Sequence, residues 1–208
     1  MTESTSPFII DLGCGTAKEP GAIGVDNVDL PAVDVVHDLL DFPYPFDDNC
    51  AHKIYLKHVI EHFTLGDINR ILNEVHRLLQ PNGIVEIRVP HVFSVAAWVD
   101  PTHRSAFAFG SVSFFEIGSA KAYYRETDSI WSLVETTSDV TGFNWKRYRM
   151  RQIDSWFSRW IKHWLNWLLR QPNLPGSADL LVKTLPLFFV EIRWKLCKEQ
   201  PDKDHGLE

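Results

Sequence analysis

Five short apolar runs, Phe8 to Leu12, Ala22 to Asp26, Val33 to His37, Lys53 to Lys57 and Ile84 to Val89, are separated by turn signals, and no other feature restricts the fold as much. Runs of this length and composition read as β-strands. Between the last two lies a helical pattern. Ile68, Ile71, Leu72, Val75, Leu78 and Leu79 keep helical spacing from Asp67 to Leu79, and Pro81-Asn82-Gly83 stops it. A helix that passes through a tight turn into an apolar strand is one half of a βαβ unit, so this rhythm predicts a parallel sheet.

Beyond Pro90 the character changes. Aromatic, Ser-rich and Gly-containing sequence runs to about Gly118, and a mixed strand region follows from Ile130 to Val140. From Asp154 to Leu169 the residues Trp156, Trp160, Trp164 and Trp167 recur at helical spacing, with Phe157, Ile161, Leu165 and Leu168 beside them. This predicts a helix with one apolar face. Pro172, Pro175 and Gly176 break it, and Phe188 to Leu196 alternates as a closing strand would. The expected fold is α/β: a doubly wound, Rossmann-like, mostly parallel sheet with an antiparallel closing strand and a C-terminal Trp-rich helical appendage. Within a single domain spanning 1–208, residues 1–142 are expected to form the core, 143–186 the appendage or lid, and 187–198 the closing strand.

Composition narrows the functional classes. With 208 residues, 45% of them hydrophobic, folding buries roughly 70% of the unfolded chain's surface, so the core needs no covalent or metal staple. Cys14, Cys50 and Cys197 are odd in number and widely separated, which argues against a disulfide framework or zinc ribbon and for a reducing cytoplasm. The opening MTESTSPF lacks the basic and apolar regions of a signal peptide, and no apolar run approaches the ~20 residues of a membrane span. The net charge of −6 argues against a nucleic-acid partner. That average conceals a basic stretch, in which Lys146, Arg147, Arg149, Arg151, Arg159, Lys162 and Arg170 face only Asp154.

The segment FIIDLGCGT is an apolar strand ending at Asp11, followed by Gly13 and Gly15. Glycines in a strand-end turn admit φ > 0 and let the backbone approach a ligand closely. Taken alone, GxG is equally a plain tight turn. Asp26 closes the next apolar run, where an α/β fold places the acid that hydrogen-bonds a ribose diol. The third glycine of a dinucleotide fingerprint is absent, because Lys18 occupies that position, which disfavours a nicotinamide cofactor.

Five ordered pieces, DLGCGT, GVD, HDLLDFPYPFDDN, KHVIEHF and ILNEVHRLLQPNGIVEIRVP, together resemble the class I S-adenosylmethionine-dependent methyltransferases of the type 11-like branch across residues 8 to 90. The resemblance implies S-adenosylmethionine as cofactor, with Gly13, Cys14 and Gly15 against its methionine part and Asp11 reaching its amino group through the loop. It further implies Asp26 and Asn27 at the ribose, Asp38 and Leu39 near the adenine, and His58 beside the cofactor at the end of the fourth strand. Ala17 stands where the family often has a third glycine. Residues 13 to 21 alone separate the first two strands, fewer than a helical crossover uses, so the first helix is expected to be a stub.

The stretch PHVFSVAAWVDPTHRSAF resembles one found in a bacterial subgroup of this branch and follows the fifth strand. Because ligands lie at the carboxyl ends of strands in doubly wound folds, His91, Asp100, His103 and Arg104 are candidates for the acceptor side. His91 or His103 suits a general base near neutral pH; either serves equally well as a loop contact. The implied reaction is methyl transfer to a small-molecule or glycan-type, including lipid-linked, acceptor.

Two other readings stand beside this one. His58-Val59-Ile60-Glu61-His62 matches the H-x-x-E-H pattern of zinc peptidases, but the first histidine directly follows a strand, and no metal is expected. A methyltransferase-like domain that binds without catalysis is the other, motivated by the short first crossover. His37, His52, His62 and His76 read as core-edge or surface residues. The Trp-rich stripe, residues 153–169, reads as core or lid packing, as an amphipathic helix lying peripherally on an anionic inner-membrane face, or as a homodimer contact. Co-sedimentation with anionic liposomes that is lost when Trp160 and Trp164 become alanine is the outcome expected of the membrane reading.

Overall fold

The computed structural model describes residues 8–116, 131–140, 163 and 190–199. The described strands form one seven-stranded sheet. Its strands are β1 (Phe8–Leu12), β2 (Ala22–Asp26), β3 (Val35–Val36), β4 (Ala51–Lys57), β5 (Leu79–Pro90), β6 (Trp131–Val140) and β7 (Val190–Lys198), in the order β3-β2-β1-β4-β5-β7-β6. The first five pair in parallel, and β7 runs antiparallel to both β5 and β6. This is the expected Rossmann-like sheet with an antiparallel closing strand. The Trp-rich appendage lies outside the described residues apart from His163, which is helical. Among the described residues no helix is long and apolar enough to cross a membrane.

Helix α1 (Leu65–Leu78) starts two residues before the apolar pattern does. Thr64 sets that start: its hydroxyl accepts from the Asp67 amide at 3.3 Å and donates to the Asp67 carboxylate at 2.6 Å, filling the N-cap position. Ile68, Ile71, Leu72, Val75 and Leu78 turn its apolar stripe inward. There they join Ile10, Leu12, Ile54, Leu56, Val85 and Ile87 of the sheet in one core. From the far edge, Trp194 and Trp131 enter the same core fully buried.

Two details depart from expectation. Pro81-Asn82-Gly83 stops the helix but lies within β5: pairing with β4 jumps from Ala51 opposite Leu79 to Lys53 opposite Ile84, so the turn is a bulge in the strand. Asn82 takes φ 63° there. In addition, the crossover from β1 to β2 contains no helix, not even a stub. Residues 13 to 21 run in turns, with Ala17 N–H on Cys14 O and Ala22 N–H on Glu19 O, both at 3.1 Å. Nine residues in open conformation reach the start of β2, where a helix rising 1.5 Å per residue would fall short.

A short α2 (Ala96–Val99) and a 3-10 turn at Phe109–Phe114 follow β5. What positions the site is the reversal of strand order at β1, with β2 on one side and β4 on the other. The connections leave in opposite directions there, which opens a crevice at the carboxyl ends of the strands.

Candidate active site

Each wall of that crevice is the residue or two following a strand. Gly13 follows β1, Asp26 and Asn27 close β2, Asp38 and Leu39 come after β3, and His58 and Val59 come after β4; His62 and Phe63 complete the cleft, of about 280 Å³. That volume sits near the lower end for small-molecule sites. Two carboxylates, a carboxamide and an apolar side of Leu39, Val59 and Phe63 therefore face one space.

The glycine loop is fastened to β2 by its backbone. Gly13 N–H and Cys14 N–H both donate to Val25 O, at 2.8 and 3.1 Å, and Gly15 N–H donates to Asp26 Oδ2 at 2.8 Å. Gly13 has φ +69°, and a Cβ there would stand 2.5 Å from Val59 Cγ2. The loop can lie against Val59 only because Gly13 has no side chain. Asp38 accepts from Leu40 N–H at 2.9 Å. The Leu39 carbonyl takes the Tyr44 hydroxyl at 2.9 Å, and Tyr44 N–H donates to Glu74 of α1 at 2.7 Å. The Asp38 wall is thus braced by the main helix.

Asp11 does not line the cleft. Its fully buried carboxylate accepts from Glu19 N–H at 2.8 Å and from Lys57 Nζ at 3.0 Å. Lys57 also reaches Glu19 Oε1 at 3.0 Å and Ala17 O at 3.1 Å. The pair holds the far limb of the glycine loop against β4. Burial pushes the Asp11 carboxyl above its ordinary value, outweighing the Glu19 amide and Lys57, which pull it down. Cys14 is buried and Gly15 is turned onto Asp26 through its N–H, so the cleft is lined by Gly13, Asp26, Asn27, Asp38, Leu39 and His58, while Asp11, Cys14 and Gly15 do not line it.

His58 takes φ 55°, a left-handed conformation uncommon outside glycine. Its ring is gripped on both nitrogens: Nε2 lies 3.0 Å from Glu191 Oε2, and Nδ1 lies 3.3 Å from the fully buried Glu61. These carboxylates, Glu191 first, push the imidazole up to about 9, so it is an imidazolium at neutral pH. This charge pins the end of β4 to β7.

On the acceptor side the four candidates separate. His91 is fully buried, packed on Phe93 and Phe109, and its Nδ1 accepts from Phe93 N–H at 3.2 Å. Asp100 is tied to Thr102 by both the amide and the hydroxyl. Arg104 N–H donates to Glu61 O at 2.7 Å. His103 alone approaches the cleft, edge-on to His62 with ring centroids 4.8 Å apart. His58 and His62 do not share a helix face, because Ile60–His62 is a single 3-10 turn and His58 precedes it. His62, read from sequence as an ordinary histidine, lines the cleft. Glu191 carries no sequence signal at all, since it meets His58 across 133 residues.

Residues 24–87 match the family model described as a methyltransferase domain. No curated protein sequence matches the chain. Among solved structures, the chain is similar to an S-adenosylmethionine-dependent methyltransferase from Archaeoglobus fulgidus, at 16% identity over 92% of this chain and 86% of that one, with a TM-score of 0.54. The YcgJ protein from Bacillus subtilis aligns at 15% identity over 96% and 95% of the two chains, TM-score 0.50. Phosphoethanolamine N-methyltransferase 2 from Haemonchus contortus, in complex with phosphomonomethylethanolamine and S-adenosylhomocysteine, aligns at 13% identity over 94% of this chain and 50% of that one, TM-score 0.50.

Proposed function

We propose that this chain is a class I S-adenosylmethionine-dependent methyltransferase of the type 11 family that methylates a small-molecule or glycan-type acceptor brought to the cleft beside residues 91–104, a reading supported by the methyltransferase-domain match over residues 24–87. One observation carries the reading: the carboxyl ends of β1 to β4 converge so that Gly13, Asp26, Asn27, Asp38 and Leu39 share one cleft. The donor set suits this cofactor. Asp26, at the tip of β2, offers carboxylate oxygens to a ribose diol. Leu39, with Asp38 beside it, supplies an apolar edge and an acceptor for an aminopurine. Gly13 leaves bare backbone for the amino-acid end.

The bound cofactor supplies an electrophilic methyl on a sulfonium. The protein's own part is then placement and exclusion of water, because in-line proximity provides much of the rate of such a transfer. As an imidazolium, His58 serves as a tie rather than a base. His62, in the cleft wall, and His103, edge-on to it, are the imidazoles nearest the acceptor.

Calorimetric titration with S-adenosylmethionine and S-adenosylhomocysteine tests the reading, followed by transfer of labelled methyl to small metabolites and envelope glycans. Wild type is expected to bind both ligands in the micromolar range. Asp26→Ala should weaken binding about 100-fold, or about 2.7 kcal/mol, the equivalent of one strong hydrogen bond to a charged group. Asp26→Asn keeps an acceptor for Gly15 N–H and should lose about tenfold. Affinity within threefold of wild type in Asp26→Ala would exclude this cleft. Cofactor binding with no methyl accepted from any class would favour a non-catalytic binding module.

A further inference from the structure

We propose that Glu61, His62 and His103 form a three-ligand site for a divalent transition-metal ion of the zinc class at the wall of the cleft, with an open coordination position. One ligand atom from each lies within 4.8 Å of the others. Around a zinc ion with bonds of about 2.1 Å, tetrahedral ligands stand roughly 3.4 Å apart, so small side-chain rotations close the set.

Three features show that the site is built. Each histidine has its Nδ1 committed. His103 Nδ1 lies 3.0 Å from the Ala97 carbonyl, which can only accept, so Nδ1 carries the proton and Nε2 the lone pair. His62 Nδ1 lies 2.9 Å from Thr102 Oγ1, whose own proton goes to Asp100 Oδ1 at 2.6 Å. Thr102 therefore accepts from His62, and again Nε2 keeps the lone pair. Orientation of a ligating imidazole by a carbonyl, or by a relay to a carboxylate, is the arrangement that fixes metal-binding tautomers.

Secondly, the Glu61 carboxylate meets the His58 ring at one oxygen only, Oε1, at 3.3 Å. That carboxylate is wholly buried, and Oε2 has no hydrogen-bond partner among the described residues. His58 offsets part of the carboxylate's charge from the Oε1 side, and the buried Oε2 is still costly unless a further donor or cation meets it. Thirdly, the loop carrying His103 is stapled to the turn carrying Glu61 and His62. Arg104 N–H and Ser105 N–H donate to Glu61 O at 2.7 and 3.0 Å, and Ser105 Oγ donates to Phe63 O at 2.6 Å. The two backbone segments that carry the ligands are fastened together before any ion arrives.

Two imidazoles and one carboxylate select a first-row transition metal over magnesium or calcium, which prefer all-oxygen shells. With three protein ligands, a fourth position stays open for water or an acceptor oxygen. The H-x-x-E-H segment thus contributes its last two residues, paired with a histidine from the loop after α2, while its first histidine is engaged by Glu191. The site does not depend on the cofactor reading.

Zinc titrated calorimetrically into the metal-stripped full chain, with a parallel cobalt titration followed by visible absorption, tests the proposal. A single ion per chain should bind, with magnesium failing to compete. His62→Ala and His103→Ala should each weaken zinc about 100-fold. Glu61→Gln should weaken it about tenfold, and His37→Ala, a histidine bonded to Asp41 O, should leave it unchanged. Far-ultraviolet circular dichroism and thermal melting in the presence of chelator report folding of each variant, and His103→Gln, which retains a donor for Ala97 O, serves where alanine disturbs the loop. Retained S-adenosylhomocysteine binding without zinc uptake overturns the metal site and leaves the cofactor reading standing. Zinc affinity unchanged in both histidine variants overturns it as well. Zinc uptake without cofactor binding supports the site and removes the methyl-transfer reading instead.

Discussion

Lys57→Met should destabilise the protein by about 3–5 kcal/mol, the cost of leaving a buried charge without its partner. Lys57 donates to Asp11, Glu19 and Ala17 O at once, and Asp11 is fully buried behind it. Removing the ammonium leaves the Asp11 carboxylate with one amide donor, from Glu19. The sign of the pH response follows from burial. Asp11 already titrates above its unfolded value of 3.8, so the folded state binds its proton more tightly than the unfolded state does, and stability rises as pH falls toward the folded value. Loss of Lys57 raises that value further. Chemical denaturation at pH 7 and pH 5 should therefore show the variant's deficit shrinking on acidification. The double variant Lys57→Met, Asp11→Asn should recover most of the loss, because it removes both charges together. A deficit independent of pH, or a double variant no better than the single, would mean that the pair does not hold this loop.

Gly13→Ala is expected to cost about 2–5 kcal/mol and to abolish measurable cofactor binding. Two terms add. A residue with a Cβ at φ +69° is strained by roughly 1–2 kcal/mol, and the methyl group would overlap Val59 Cγ2 at 2.5 Å, an overpacking of about 1–3 kcal/mol. The chain can relieve both by lifting the loop off Val59. That movement breaks the Gly13 and Cys14 bonds to Val25 O and the Gly15 bond to Asp26, so binding should suffer more than melting temperature. Adding Val59→Ala removes the overlap but not the strain. The double variant should regain part of the stability and little of the binding, and full recovery of both would show that the left-handed backbone is not required.

Strand positions were legible because buried strands announce themselves as apolar runs. β1 and β2 begin and end where the pattern does, and Asp26 sits at a strand tip because the run AIGVD ends there. Boundaries moved where a local interaction competed with hydrophobic periodicity. Thr64 capped α1 early, and β5 began at Leu79 by absorbing Pro81-Asn82-Gly83 as a bulge. The missing first helix was visible only as a shortage of residues.

By itself, the sequence determined the parallel α/β sheet, the amphipathic helix α1 and the acids and glycines at strand ends, because each depends on neighbours within a few residues. Tertiary structure alone decided which distant side chains meet. β7 comes last of the described strands in the chain yet inserts between β5 and β6, and only that insertion carries Glu191 to His58. Likewise, only the fold of the loop after β5 onto the Ile60–His62 turn brings His103 against His62. Such pairings are fixed by the direction and register of whole strands and by backbone bonds between loops, and spacing along the chain encodes neither.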